Sequence, residues 1–156
     1  MSITVRPSRP WDKAALEAIL WDTFESTWRP QVTAAAAQAF RDEAQPAVFV
    51  FEKGQAFWVA EKGGEVAGLV YWEGDFVHSL HVLGRHARQG VGAALMDLAE
   101  ARMATDGQTS ARLETDTFNT RSQAFYAARG YREAGRYPDK AWNSGLTTLL
   151  LVKPLA

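Results

Sequence analysis

The chain contains no cysteine among its 156 residues. This absence excludes disulfide bonds, metal sites built from thiolates and an acyl intermediate on a cysteine side chain. A surplus of one charge is also lacking, because 17 lysines and arginines nearly balance 18 aspartates and glutamates. Proteins that bind nucleic acid usually carry a basic surplus, so we expect no nucleic-acid partner. A chain without cysteine suits the cytoplasm, which is the location we expect.

Long apolar runs are missing as well. No stretch approaches the ~20 residues that a membrane span needs, and the first residues lack the apolar segment of a signal peptide. We therefore expect no membrane partner. A chain of this length is expected to form one domain, residues 1–156, and to bury about 70% of its unfolded surface. Such a core needs no metal ion, and we expect no metal site.

One segment in the middle of the chain has a strong local pattern. An apolar stretch with strand character, 76–83, passes through a basic turn into Gly90-Val91-Gly92, and apolar positions then recur at helical spacing over 93–103. The N–H groups of a helix's first turn lack backbone partners, and glycines let a ligand approach them closely. The pattern predicts a phosphate-binding turn to which Arg85 and Arg88 add positive charge. A plain glycine connection is the alternative.

The remaining segments predict a mixed α/β fold in a single domain. Three successive strands, 57–61, 66–73 and 76–83, are expected to form an antiparallel meander. Because a helix connects them, 111–115 is expected to lie parallel to the third strand, and the apolar segment 146–152 is expected at the sheet's centre. We expect a mixed, mostly antiparallel sheet of six to seven strands flanked by about four helices. Further strands are predicted at 3–6 and 131–137. Helices are predicted at 11–28, 34–42, 93–105 and 120–129. The stretch 45–51 is left unassigned, as either an inward-packed loop or a short helical turn.

The second half of the chain resembles the GCN5-related N-acetyltransferase superfamily. Leu80-His81-Val82 followed by the segment from Arg88 to Ala93 is similar to the acetyl-CoA signature of that superfamily. Asn119, Phe125-Tyr126 and Gly130-Tyr131 are similar to its second signature. The resemblance implies one domain of that superfamily's fold, with acetyl-CoA as co-substrate.

The resemblance also implies how acetyl-CoA is held. The pantetheine arm would thread a gap where the strand at 76–83 splays from the strand at 111–115, and the thioester carbonyl would meet the Val82 N–H. Asn119 would contact CoA or a water, and it can also cap the helix 120–129. The implied binding residues are Leu80, His81, Val82, Arg88, Gln89, Gly90, Val91, Gly92, Ala93 and Asn119.

The implied reaction is N-acetylation of a primary amine on a small molecule, peptide or protein. Without cysteine, direct attack within a ternary complex is favoured over a covalent acyl-enzyme. Tyr126 resembles the family's general acid, which protonates the departing CoA thiolate; a core aromatic is the alternative. A non-catalytic acyl-CoA sensor or subunit with the same fold is the competing function, and the resemblance is compatible with a homodimer.

Glu114 is one candidate for the base that removes the amine's proton. It lies five residues before Asn119, where some members of the family place a catalytic glutamate. The alternative is a structural salt bridge to Arg112 or Arg132. A chain of waters can also replace any side-chain base.

His78 is the second candidate base. It lies four residues before Val82, a place that is similar to the position of a histidine in one branch of the family. Strand alternation predicts that it shares a face with Phe76 and Leu80, while His81 faces the other way. A surface histidine beside the turn at 74–75 is the alternative for His78.

Three tryptophans fall on segments that usually border the acceptor pocket in this family. They are Trp28, Trp72 and Trp142. Aromatic walls suit an apolar or cationic acceptor.

Overall fold

The structure, a computed structural model, describes residues 2–139 and 145–155. Its centre is a seven-stranded mixed sheet in the order β1-β2-β3-β4-β5-β7-β6. The strands are β1 (Ile3–Pro7), β2 (Trp58–Lys62), β3 (Glu65–Glu73), β4 (Phe76–Val82), β5 (Ser110–Asp116), β6 (Arg132–Pro138) and β7 (Thr147–Pro154). The helices are α1 (Lys13–Thr23), α2 (Ala34–Asp42), α3 (Gln45–Lys53), α4 (Val91–Thr105) and α5 (Thr120–Ala128).

The predicted strand arrangement is confirmed. β2, β3 and β4 form the antiparallel meander, and β5 pairs with β4 in parallel. β7 lies inside the sheet between β5 and β6, as its apolar sequence indicates. Gly135, which interrupts the pattern of β6, lies at a register shift between β6 and β7.

The helices follow local signals with two differences. The Thr33 hydroxyl caps α2 by accepting the Ala36 N–H at 3.1 Å, as Ser/Thr caps do. The predicted helix 11–28 is divided, because α1 is followed by a π-helical turn, Phe24–Trp28. The unassigned stretch at 45–51 is part of α3. A proline in its first turn costs no backbone hydrogen bond, which is why Pro46 fits there.

Two apolar layers cover the sheet. On one face α4 packs against strand residues such as Val70 and Val77, and the phenol of Tyr126 belongs to this cluster. On the other face α1 and α3 pack against residues such as Leu69 and Tyr71. No helix in the described part of the chain is both long and apolar enough to cross a membrane.

Gly68 lets α4 lie directly on the sheet. A Cβ atom at this position would lie 2.9 Å from the His81 carbonyl oxygen and 2.9 Å from the Val91 side chain. We expect Gly68→Ala to lower the free energy of unfolding by about 1–3 kcal/mol, because overpacking forces neighbours apart. Urea unfolding measures this loss, and an unchanged midpoint would mean that α4 shifts at no cost.

Candidate active site

A bulge in β4 sets the direction of the site's side chains. In the pairing with β3, Tyr71 is opposite Ser79 but Trp72 is opposite Val77, so His78 is an extra residue in β4. Such a bulge reverses the alternation of the strand on its far side. Val77 and Leu80 therefore both face α4.

The bulge makes one prediction from strand alternation wrong. His78 does share a face with Phe76, whose ring centroid is 4.9 Å away. Leu80 faces the opposite way, toward α4, and His81 lies on the same face as His78, where it contacts Thr23 of α1. Both strand histidines thus face the α1 side of the sheet.

The predicted gap lies between β4 and β5. Only Phe76 with Arg112 and Val77 with Leu113 are paired across these strands, although β4 continues for five more residues to Val82. The Leu83 N–H donates to the Ala67 carbonyl of β3 at 2.9 Å. Because successive N–H groups alternate sides along a strand, those of Leu80 and Val82 point away from β3 and into the gap.

The turn before α4 contains two residues with positive φ. Gly90 takes a φ of 88° at the N-cap of α4, a conformation that glycine adopts without strain. Arg88 takes a φ of 61° beside it. The Gln89 side chain reaches back to His86 and to the Arg85 carbonyl, both at 3.4 Å. The Gln89 side chain therefore hydrogen-bonds within the turn, and it does not line the cavity between β4 and β5.

A cavity of about 810 Å³ passes through the gap and reaches this turn. Its walls come from β4, β5, the α4 N-terminus, α5 and the end of α1 with the π-helical turn. Arg85, which is predicted to add charge at the turn, pairs with Glu65 of β3 instead and is not in the lining. All the other predicted binding and catalytic residues except Gln89 contribute to the cavity. These are His78, Leu80, His81, Val82, Arg88, Gly90, Val91, Gly92, Ala93, Glu114, Asn119 and Tyr126.

Tyr126 contributes a phenol to the α4 side of this cavity. Its ring is buried in edge-on contact with Phe125 and Tyr131, whose centroids are 5.1 and 5.5 Å away. Burial raises the pKa of the Tyr126 hydroxyl, so the phenol is protonated at neutral pH. None of the residues at 2–139 and 145–155 hydrogen-bonds this hydroxyl. Core packing and a proton donor are therefore compatible roles for the same side chain.

Asn119 combines two predicted roles. Its side chain accepts the Ser122 N–H at 3.1 Å and so caps α5. It also lines the cavity. The cap orients the amide at the start of the helix.

The two predicted bases lie on the α1 face with partners of their own. The imidazole of His78 stacks on Tyr71 and lies 3.8 Å from the Glu73 carboxylate. The Glu114 carboxylate accepts a hydrogen bond from the Tyr137 hydroxyl. The alternative for Glu114, a salt bridge to Arg112 or Arg132, is not present among the described residues, and Arg112 pairs with Asp75 at 2.8 Å instead.

His81 lines the cavity on the α1 face of the sheet. Its Nδ1 atom is hydrogen-bonded to the Thr23 hydroxyl at 3.2 Å, and the Trp28 indole meets its ring edge-on at 5.7 Å. Burial lowers the pKa of His81 to about 4. The imidazole is therefore neutral at physiological pH.

Three charged residues in the cavity were missed by sequence reasoning. Asp22 of α1 accepts the Gly84 N–H at 2.9 Å. Asp116, at the end of β5, accepts the Trp28 indole N–H at 3.1 Å. Arg121 on α5 lines the cavity together with Arg88. The available signal for Asp116 was its position two residues after Glu114, on the same face of β5.

The tryptophans differ in position. Trp28 lines the cavity, whereas Trp72 packs against the core under α4. Trp142 lies outside the described residues. Within the described ranges, no group of three or more His, Asp or Glu side chains could hold a metal ion.

Comparison with known sequences matches this architecture to one family. The acetyltransferase (GNAT) family model matches residues 13–131, which is more than half of the chain. The chain belongs to this family. The matched GNAT segment includes the bulged strand, the glycine turn and Tyr126.

Individual GNAT relatives are distant. N-acetyltransferase 8B of Rattus norvegicus is 26% identical over an alignment of 135 residues that covers 79% of this chain and 60% of that protein. A GCN5-related N-acetyltransferase from Rhodopseudomonas palustris has a TM-score of 0.81 at 24% identity, covering 99% of this chain and 97% of that one. The PaiA N-acetyltransferase of Thermoplasma acidophilum, solved with coenzyme A, has a TM-score of 0.76 at 15% identity and 99% coverage of both chains. These structural likenesses show the GNAT fold.

Proposed function

We propose that the chain is an N-acetyltransferase that moves the acetyl group of acetyl-CoA to a primary amine by direct attack in a ternary complex. The observation that carries this proposal is the continuous cavity. It connects the predicted anion-binding turn, the unpaired edge of β4 and the Tyr126 phenol. The acceptor is a small molecule or a peptide amine that enters from the α1 side.

The cavity divides into regions suited to different parts of acetyl-CoA. The first turn of α4 and Arg88 would hold the pyrophosphate, since helix N-termini and guanidinium groups favour phosphates. The backbone groups of Leu80 and Val82 that point into the gap would hold the pantetheine amides. Asn119 would contact the same arm from α5. PaiA, a structural relative solved with coenzyme A, supports this choice of co-substrate.

The reaction needs three elements besides binding. The Val82 N–H would stabilise the oxyanion that forms when the amine attacks the thioester carbonyl. Tyr126 would give its proton to the CoA thiolate as the C–S bond breaks. His78 and Glu114 both line the acceptor side and are the predicted candidates for removal of the amine's proton.

The test is thiol release from acetyl-CoA with a panel of amines. A chain without cysteine gives no thiol background of its own. We expect release with at least one class of amine, and no release without an acceptor beyond slow hydrolysis. Binding of acetyl-CoA with no release across the panel would favour the sensor function, and absence of binding would refute both.

We expect Gly92→Val to weaken acetyl-CoA binding at least about tenfold, or ~1.4 kcal/mol. A Cβ at Gly92 would lie in ordinary contact, 3.4 Å from Phe125 and 3.7 Å from Val82, and the γ-methyl groups of valine would add bulk to the cavity wall. Calorimetric titration with acetyl-CoA measures the effect. Ala101→Val, on an exposed position of the same helix, is the control and is expected to bind normally.

A further inference from the structure

Trp28 connects the two splayed strands on the α1 face of the cavity. Its indole N–H donates to Asp116 Oδ2 of β5 at 3.1 Å. The same ring meets His81 of β4 edge-on at 5.7 Å. The π-helical turn that ends at Trp28 brings the indole to this position, and such turns are frequent at functional sites.

Asp116 is level with the backbone groups that would face the thioester. β4 and β5 are in register at Val77 and Leu113. Asp116 is three residues beyond Leu113. His81 is four residues beyond Val77, but one of these four is the bulge residue His78, which adds no length to the pairing. At about 3.3 Å per residue both lie about 10 Å along the strands from the last pair. The contact of Trp28 with both residues agrees with this placement.

The two competing carboxylates and the imidazole of His78 are less suitably placed. Asp22 of α1 lines the cavity, but its carboxylate accepts the Gly84 N–H at 2.9 Å beside the turn before α4. Glu114 lies one repeat earlier on β5, and its carboxylate is bonded to Tyr137. His78 lies at the bulge, beside Glu73. His81 is enclosed and neutral, so it does not repel a cation beside Asp116.

The surroundings of Asp116 raise its pKa. Burial is the main cause, the nearby carboxylates of Asp139 and Glu114 add to it, and the Trp28 N–H opposes it. The cavity arginines, Arg88 and Arg121, come from the turn before α4 and from α5. An approaching cation stabilises the charged form of a half-buried carboxylate in this environment. Such a carboxylate also accepts a proton more readily than an exposed aspartate does.

We propose that Asp116, held by Trp28, is the carboxylate that binds the acceptor's ammonium group and takes its proton. This inference rests on the proposed acetyl transfer and assigns the acceptor class as a primary amine that arrives as a cation. The ammonium group gives one N–H proton to Asp116, and the free amine attacks the thioester carbon, forming the C–N bond. The C–S bond then breaks, Tyr126 protonates the thiolate, and the second amine proton returns to the Tyr126 phenolate. Asp116 releases its proton to water.

Asp116→Asn tests this inference, with Asp97→Asn as the control because it removes the same charge from an exposed position on α4. The first readout is calorimetric binding of benzylamine and benzyl alcohol to the protein–CoA complex. We expect the unaltered chain to prefer the amine at least about tenfold. Asp116→Asn is expected to lose this preference and Asp97→Asn to keep it.

The second readout is the pH profile of kcat/KM with benzylamine, n-hexylamine and a lysine peptide. We expect Asp116→Asn to be about 10²-fold slower at neutral pH. Its rate should rise tenfold per pH unit toward the amine's own pKa of about 10, because it can use only the free amine. The unaltered chain should reach a plateau once Asp116 is ionised. Trp28→Phe, which removes the N–H donor but keeps an aromatic ring, is the second variant and is expected to raise KM for the amines.

The outcomes separate this inference from the proposed function. An amine preference that is lost in Asp116→Asn, without thiol release by any variant, supports the ammonium site and refutes acetyl transfer. Thiol release that Asp116→Asn leaves unchanged refutes the role of Asp116 and supports acetyl transfer. Equal binding of amine and alcohol to the unaltered chain, or no binding of either, overturns the inference.

Discussion

Tyr126→Phe is expected to lower kcat by about 10²–10⁴-fold, the usual contribution of a positioned general acid. The substitution removes one hydroxyl that no described residue binds and keeps the ring in its packed position. We therefore expect unchanged stability and unchanged binding of acetyl-CoA. Thiol release at saturating substrate measures the loss, and kcat and kcat/KM should fall equally if the proton is given only in the transition state.

Tyr131→Phe is the matched control for Tyr126→Phe. Both tyrosines are buried in the same core, and their rings are in contact at 5.5 Å. The Tyr131 hydroxyl, however, donates to Glu100 at 2.9 Å and does not line the cavity. We expect this variant to lose about 1–3 kcal/mol of stability and to keep its kcat. Equal kcat values for the two variants would refute the role of Tyr126 as the acid.

Glu100→Gln is expected to lower the free energy of unfolding by about 3–5 kcal/mol, the usual cost of removing one partner from a buried ionic network. The Glu100 carboxylate is 10% exposed and accepts from Lys153 of β7 at 2.6 Å. It also accepts from Arg129 at 3.2 Å and from Tyr131. Its loss removes the countercharge of Lys153 and leaves Arg129 paired with Asp97 alone.

Asp97→Asn is the control for Glu100→Gln. Asp97 pairs with the same Arg129 at 2.8 Å, but its side chain is 72% exposed. Exposed ion pairs contribute little, so we expect a change within about 1 kcal/mol. Urea unfolding of both variants measures the difference. Equal losses would mean that water screens the Glu100 network as well.

Local patterns predicted the parts of the fold that depend on neighbouring residues. The Thr33 cap lies directly before α2, and the glycine turn lies directly before α4. The apolar sequence of β7 placed this strand inside the sheet. Each of these features depends on groups a few residues apart, whose hydrogen bonds and burial are set by the local sequence.

Strand alternation failed at His78 for a tertiary reason. A bulge is visible only once β4 is paired with β3. Tyr71 pairs with Ser79 and the next residue, Trp72, pairs with Val77, so His78 has no partner position in β3. This offset turns His81 toward α1 and directs the Leu80 and Val82 N–H groups into the gap.

The amino-acid sequence by itself indicated the family, the order of the strands and of most helices, and the twelve predicted residues that line the cavity. The tertiary structure alone decided which side chains meet on the α1 side of the cavity. Trp28 and Asp116 are 88 residues apart in the chain and 3.1 Å apart in space. Periodicity describes which face of an element is apolar, but it contains no information on which distant side chain completes a hydrogen bond across that face. The pairing of an indole with a half-buried carboxylate is therefore decided only when α1, the π-helical turn and β5 pack together.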